Sequence, residues 1–331
     1  MKKIIIPILA LLLVVNVRPC EGALKKLGQA GLKFLAVDLA ARPAAMGGAF
    51  VTISSGADAM FYNPAGLAEM QQFRWDVFAT RTNWIADISY NAGALAKNLG
   101  NLGTIGINFI GTDYGDDIIG TRVASTEEGY IETGTLDIGA YTVGVSYARS
   151  LTNKFKFGLQ IKYAHQHLGE NLISEAENKS VKNSVNGFGY DIGTIFYPGY
   201  KSFRFAMSIR NFSSQFKYEE EAFELPLMFR IGMAMDILDF LSGTDMHSFL
   251  LSIDALHPRD YTERMHIGGE YWYNDIIALR TGYKTNYDEE GLSFGFGLKY
   301  DISGVNLKVD YSYSQMGIFE NVNRITIGGS F

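Results

Sequence analysis

The chain ends with Asn323-Arg324-Ile325-Thr326-Ile327-Gly328-Gly329-Ser330-Phe331. Ile325, Ile327, Gly329 and Phe331 share one parity, and Arg324, Thr326, Gly328 and Ser330 share the other. Successive side chains of an extended strand point to opposite faces, so this stretch predicts a strand with one apolar and one polar face. The same period of two recurs upstream. We read fourteen such strands, at residues 73–80, 85–96, 103–111, 138–150, 154–167, 187–197, 203–212, 228–236, 248–255, 263–271, 276–283, 292–300, 305–313 and 323–331. The fifth is the cleanest, with Phe155, Phe157, Leu159, Ile161 and Tyr163 set against Lys156, Gly158, Gln160 and Lys162.

The connections sort by length. After odd-numbered strands they include 112–137, 168–186, 213–227, 256–262, 284–291 and 314–322; after even-numbered ones they are 97–102, 151–153, 198–202, 237–247, 272–275 and 301–304. Only 81–84, which is short, and 237–247, which is long, break the alternation. Barrels of the outer membrane show long extracellular loops and tight periplasmic turns, and an even strand count returns both ends to the periplasm. A soluble sandwich has no reason to sort its loops this way. The terminal Phe331 behind an alternating strand also resembles the C-terminal signature of bacterial outer-membrane barrels. Composition agrees: 47% of residues are apolar, mean hydropathy is only +0.02, and past the N-terminal leader no run approaches the ~18 apolar residues of a spanning helix. The expected fold is therefore all-β, a transmembrane antiparallel β-barrel of about fourteen strands over residues 73–331. It is expected in the bacterial outer membrane, in contact with lipid and lipopolysaccharide.

At the other end, Lys2 and Lys3 precede an apolar stretch from Ile4 to Val15, and Cys20-Glu21-Gly22 offers a cleavage site with small residues at both specificity positions. Residues 1–22 are thus expected to be a signal peptide. Cys20 is the only cysteine, so cleavage after Gly22 leaves no thiol, disulfide or Cys-ligated metal site. The net charge of −6 and the lack of a basic tract argue against a nucleic-acid partner.

By parity the inward face carries Lys156, Lys162, Asp191, Arg210, Arg230, Asp254, Glu270, Arg280, Lys299, Lys308, Asp310 and Arg324. Such groups are costly against lipid and tolerated where they pair or meet water. They read either as a salt-bridge lattice filling a plugged lumen or as a polar conduit or ligand site.

Residues 23–72 lack alternation. Two submotifs stand there in order: Arg42 with Met46-Gly47-Gly48-Ala49, and Tyr62-Asn63-Pro64-Ala65-Gly66-Leu67. This stretch resembles the N-terminal motif shared by FadL-type hydrophobic-compound channels and PorV/PorQ outer-membrane proteins. The resemblance implies a periplasm-side hatch folded into a fourteen-stranded barrel. Downstream, Leu225-Pro226-Leu227 leading to Arg230-Ile231-Gly232, Asp254 with His257-Pro258, Gly268-Gly269-Glu270-Tyr271 and Leu279-Arg280-Thr281-Gly282-Tyr283 look more like the PorV/PorQ branch. That branch implies a role beside protein secretion, as escort of type IX substrates or part of an attachment machinery.

The residues support a hatch in physical terms. Gly47 and Gly48 permit positive φ or a close backbone approach. Ser54 or Ser55 is placed to N-cap a short helix bearing Ala57, Ala59 and Met60, and Pro64 pushes Asn63 out of the helical region. Arg42 has inward carboxylates such as Asp191 or Glu270 as candidate partners. Such a hatch is either a structural plug or a gate that moves or binds an apolar ligand.

Other signals are weak. His165 and His167 share a face but lack further ligands, and His247, His257 and His266 show no ligand-like spacing. The acidic loop groups Asp113, Asp116, Asp117, then Glu127, Glu128, Glu132, then Glu219, Glu220, Glu221, Glu224 read first as solvated loops and second as Ca²⁺ or lipopolysaccharide contacts. No phosphate-binding loop, zinc-protease motif or nucleophile elbow occurs, so no catalytic residue, cofactor or metal is assigned. Ile237 to Ser242 is an apolar run in a periplasmic turn. Two functions remain: a non-catalytic adaptor whose extracellular loops present secreted cargo or secretion subunits, or a channel for an apolar small molecule. The channel would need an apolar pocket of about 300–1,000 Å³ beside residues 42–66, whereas dense luminal charge favours the adaptor.

Overall fold

The computed structural model describes residues 28, 30–115, 118–174, 179–218, 221–241 and 246–331. The expected signal peptide and the loop acids Asp116, Asp117, Glu219 and Glu220 lie outside these residues. The chain runs through β1 (Trp75–Asn83), β2 (Ser89–Asn98) and β3 (Thr104–Asp113), then a small hairpin of β4 (Ile119–Val123) and β5 (Tyr130–Thr135). There follow β6 (Ile138–Ser150), β7 (Phe155–Ser174), β8 (Lys179–Phe196) and β9 (Arg204–Ser213), and a second short pair, β10 (Phe216–Lys217) and β11 (Ala222–Phe223). The last seven strands are β12 (Met228–Asp236), β13 (His247–Pro258), β14 (Arg264–Tyr273), β15 (Ile277–Thr285), β16 (Glu290–Ile302), β17 (Val305–Met316) and β18 (Val322–Ser330).

Among the described residues, fourteen of these strands form one closed antiparallel barrel from which the β4–β5 and β10–β11 pairs stand apart. The C-terminal stretch closes it: β18 pairs with β1 from Asp76 opposite Ser330 to Asn83 opposite Asn323, and the Phe331 carbonyl accepts from the Arg74 and Trp75 amides. Closure pairs every strand and leaves no edge, the condition for backbone to sit in hydrocarbon. Outward-facing Ile107, Phe109, Val145, Ile161, Phe188, Leu279, Phe294 and Ile327 are all exposed. A belt of that kind is stable only against lipid. With both barrel ends at the short-turn side, that side is periplasmic and the long-loop side extracellular.

Several expectations need correction. Among the described residues of the 168–186 link, β7 and β8 continue as a paired ribbon up to Ser174 and Lys179, with register shifts near His167 and Leu172. The 112–137 and 213–227 links likewise contain the two small hairpins. The first extracellular turn lies at 84–88 rather than 81–84, because Arg81, Thr82 and Asn83 remain paired on both sides. In β2 the apolar set Tyr90, Ala92, Ala94 and Ala96 is buried inside, while Asn91 faces out. The apolar face of a strand is expected to meet lipid, but packing against the interior segment turns this one inward.

That segment is not confined to the periplasmic side. Gly31 donates to the carbonyl of Glu224 in an extracellular loop, and Lys33 pairs with Asp260 in another. Lower down, Ala57 donates to Asp76 near the start of β1 (2.7 Å), and Glu69 pairs with Lys156 at the start of β7. Residues 30–72 therefore traverse the lumen from its extracellular mouth to its periplasmic rim. Lys33 is 42% exposed at its side chain, so Lys33→Cys is expected to react with a membrane-impermeant maleimide on intact cells. Asn101→Cys, in the exposed β2–β3 turn, should react only after the outer membrane is permeabilised. Protection of Lys33→Cys on intact cells would reverse the threading.

Candidate functional site

The candidate site is the filled lumen. Its construction starts with backbone. A buried segment in irregular conformation must satisfy its N–H and C=O groups, and here the barrel wall does so. Thr82 Oγ1 donates to the Leu39 carbonyl (2.7 Å), Thr326 Oγ1 accepts from the Ala41 amide (2.9 Å), and Ser293 Oγ donates to the Ala45 carbonyl (3.2 Å). One Asp254 oxygen accepts from both the Phe50 and Val51 amides (2.8 and 2.9 Å). Arg230 donates to the Gly48 carbonyl (3.1 Å), Arg324 to that of Asp38 (2.7 Å), and Arg210 to that of Leu35 (3.3 Å).

Arg42 lies in a short helix, Ala41–Ala45, and makes a two-pronged contact with Glu270 (2.8 and 2.7 Å). Glu270 also receives Arg280 (2.6 Å), whose other end reaches Asp310 (2.6 Å). Asp191 is not the partner of Arg42. It sits in a separate group, accepting from Lys162 (2.7 Å), Gln160 (2.8 Å) and the Asn211 amide (2.7 Å).

A third group centres on Asp38, which the sequence reading missed. Lys284 donates to it (2.8 Å) and to Glu290 (2.5 Å), and Arg230 lies 3.8 Å away. The only hint was a single charge among the apolar residues from Phe34 to Ala41.

Close approach explains the glycines. Gly47 and Gly48 have φ of 63° and 77°. A Cβ on Gly282 of the wall would overlap the backbone of Met46 and Gly47, and one on Gly158 would overlap Pro64 and Ala65. Asn63 is extended (φ −150°), its side chain accepts from the Ala65 amide, and its Nδ2 donates to the carbonyls of Val51 (2.8 Å) and Thr194 (3.2 Å). Pro64 opens the next 3-10 turn, and Gly66 packs against the Ser54 carbonyl. The expected serine cap does not form: Gly56 precedes the Ala57–Phe61 turn, and Asp76 takes the Ala57 amide from outside the segment.

The lumen is unevenly charged. Among the described residues, the inward positions of β1, β2, β3 and β6 carry Asp76 at the periplasmic rim and otherwise small or uncharged residues: Phe78, Thr80, Tyr90, Ala92, Ala94, Asn108, Ile110, Ala140 and Thr142. All the charged groups that anchor the segment from the middle of the lumen upward come from β7 through β18. At the extracellular mouth the uncharged sector meets Trp84, Tyr114, Tyr218 and Phe223, which pack on one apolar cluster with Phe34, Ile110 and Leu225. Gln166 ties two of these loops, donating to the Tyr114 hydroxyl (2.9 Å) and accepting from that of Tyr218 (2.8 Å). A cavity of about 490 Å³ opens at the periplasmic end beside Arg42 and Thr52, lined by Glu69, Asp76, Lys156, Arg204 and Lys308. It has the size of a small-molecule site but is polar, unlike the apolar pocket expected of a channel.

The architecture defines a class: a fourteen-stranded barrel of the bacterial outer membrane whose N-terminal segment fills its lumen. Comparison with protein-family models gives no match, and neither does comparison with curated protein sequences. Solved structures do match in fold. A CymD monoaromatic hydrocarbon channel aligns with a TM-score of 0.55 at 12% identity, covering 88% of this chain and 97% of that one. A Pseudomonas aeruginosa FadL homologue aligns at 0.54 and 10% identity, over 88% and 98% of the two chains. The Pseudomonas putida toluene transporter TodX aligns at 0.51 and 16%, over 87% and 96%. At such identities the likeness is one of fold alone.

Proposed function

We propose that this protein is an outer-membrane channel for apolar small molecules, closed in the arrangement described. The observation that carries the reading is the uncharged inner sector of β1, β2, β3 and β6, which runs down from the aromatic mouth at Trp84 and Tyr114. Among the described residues, the sector itself carries no charged side chain above Asp76, whereas the rest of the wall would have to be stripped of ion pairs. Arg324 of the neighbouring β18 borders its upper end, 5.7 Å from the Trp84 ring, where the Asp38 carbonyl and Ser314 engage it. Fold neighbours described as hydrocarbon channels support the same reading. Conduction requires the interior segment to leave this sector, since Met60, Phe61 and Leu67 now pack against it.

The adaptor role implied by the PorV/PorQ resemblance gains no support from the barrel or its fold neighbours. Dense luminal charge had favoured it, but Glu270, Asp254, Arg230, Arg210 and Arg324 bind the interior segment, and anchoring that segment accounts for them.

The test uses cells with an intact lipopolysaccharide leaflet, because hydrocarbons cross plain phospholipid bilayers unaided. Expression in a host without such channels should raise uptake of a labelled monoaromatic hydrocarbon and leave sugar uptake unchanged. Ala92→Lys, which puts a charge in the uncharged sector, should lower that uptake roughly tenfold, equivalent to about 1.4 kcal/mol on the barrier. Heat-modifiable migration on gels checks that the variant barrel is folded. Hydrocarbon uptake no greater than in cells without the protein would sink the proposal.

A further inference from the structure

The extracellular mouth carries a second feature on β14, half-way round the ring from β2 and β3 and so away from the uncharged sector. Arg264 opens β14 at the inward parity of His266 and Gly268. Its guanidinium carbon lies 3.8 Å from the centre of the Tyr287 ring and 4.2 Å from that of Tyr261. Those rings belong to the β15–β16 and β13–β14 connections, so the wall and two loops meet on one cation. The loops are fixed in place. Tyr287 Oη lies 2.9 Å from His266 Nε2, and Asn286, at a φ of 60°, donates from its side chain to the Glu263 carbonyl (2.8 Å). Lys33 of the interior segment brings a second cation, 5.0 Å from the Tyr261 ring.

Arg264 has no acid of its own. Among the described residues its Nε is buried without an acceptor, and no ion pair engages the group. Nearby acids are taken elsewhere: Asp260 by Lys33, Glu263 by His257, Glu290 by Lys284, and Glu289 by the Ile318 amide (2.8 Å). Asp288 is exposed and forms no pair with it. Buried charged donors are costly to leave unpartnered. Stacking on two rings holds the guanidinium plane and leaves its edge for an acceptor lying in that plane.

We propose that Arg264 and Lys33 form a binding site for a phosphate group that enters from the extracellular side. A carboxylate would satisfy the guanidinium fork alone. A phosphate has further oxygens and a second charge for the Lys33 ammonium, which keeps donors free beside the one given to Asp260. The bound group also relieves the repulsion between two cations set about one ring. Lys33 belongs to the interior segment and Arg264 to the wall, so the phosphate ties the segment to the mouth of the barrel.

The experiment titrates inorganic phosphate into the refolded protein in neutral detergent, at constant ionic strength, by isothermal calorimetry. Saturable binding of a single phosphate is expected, and chloride should not compete. Arg264→Gln should weaken binding roughly tenfold or more, and Arg264→Lys and Lys33→Gln several-fold. Lys217→Gln, which removes an exposed extracellular cation, should leave it unchanged. Heat-modifiable migration checks that each barrel is folded. Competition by lipopolysaccharide that is lost on removing its phosphates would place the group on that lipid, and no competition would place it on a free solute. Absence of saturable binding to the wild type, or equal binding by folded Arg264→Gln, would overturn the proposal.

Discussion

Gly282→Val is expected to turn a closed barrel into a leaky one. Gly282 faces the Met46–Gly47 turn so closely that any Cβ would overlap its backbone, and backbone cannot move aside as a flexible side chain can. The strand itself accepts valine, because Gly282 has no positive φ and β-branched residues favour extended backbone. Overpacking a core costs about 1–3 kcal/mol even where side chains adjust. Here the adjustment is displacement of residues 45–48, with loss of the bonds from Ser293 to Ala45 and from Arg230 to Gly48. A fourteen-stranded lumen without its filling is wide enough for water. Planar-bilayer conductance of the variant should exceed that of the wild type by roughly tenfold or more, comparable with an aqueous barrel of this strand number. Gly282→Ala should fall between them. Conductance of Gly282→Val equal to wild type would mean that the seal does not depend on this contact.

Arg42→Met should unseat the same segment by chemistry rather than by volume. It removes one of the two guanidinium groups that neutralise Glu270, whose side chain is 2% exposed. Stripping one partner from a buried pair costs about 3–5 kcal/mol, because the remaining charge is left under-compensated. Arg280 stays in place and still donates to Glu270, so the loss should fall at the lower end. Melting of the detergent-solubilised protein, followed by heat modifiability, should shift down, and protease should cut within residues 42–60 before the barrel strands are attacked. Adding Glu270→Gln should cost less than the sum of the two single changes, the mark of a direct pair. Full additivity, or an unchanged melt for Arg42→Met, would show that the pair does not hold the segment.

Both variants rest on features unequally visible in the chain itself. Gly282 stands in the weaker alternation of 276–283, whereas Gly158 stands at inward parity in the cleanest alternating strand, so its place on the luminal wall was legible. That they touch Met46 and Pro64 was not, since nothing local records which part of a distant segment lies opposite. Arg42 stood out within its motif, and its carboxylate partner was narrowed to candidates that included Glu270. The aromatic mouth went unread because Trp84, Tyr114, Tyr218 and Phe223 lie in connections, where alternation carries no information.

What the sequence by itself determined is the set of properties carried by short-range periodicity. A repeat of two specifies strands, the sorting of link lengths specifies the two sides of the membrane, and the parity of Lys162, Asp191, Arg230, Glu270 and Arg280 specifies a charged interior. Tertiary structure alone decided the depth and azimuth of each group. Arg42 meets Glu270 across 228 residues of chain and Ala41 meets Thr326 across 285, distances at which register is set by barrel closure and strand stagger rather than by any local pattern. The same closure gathers β1, β2, β3 and β6 into one uncharged sector and places the interior segment against it. Periodicity assigns a side chain to a face; only the closed ring assigns it a neighbour.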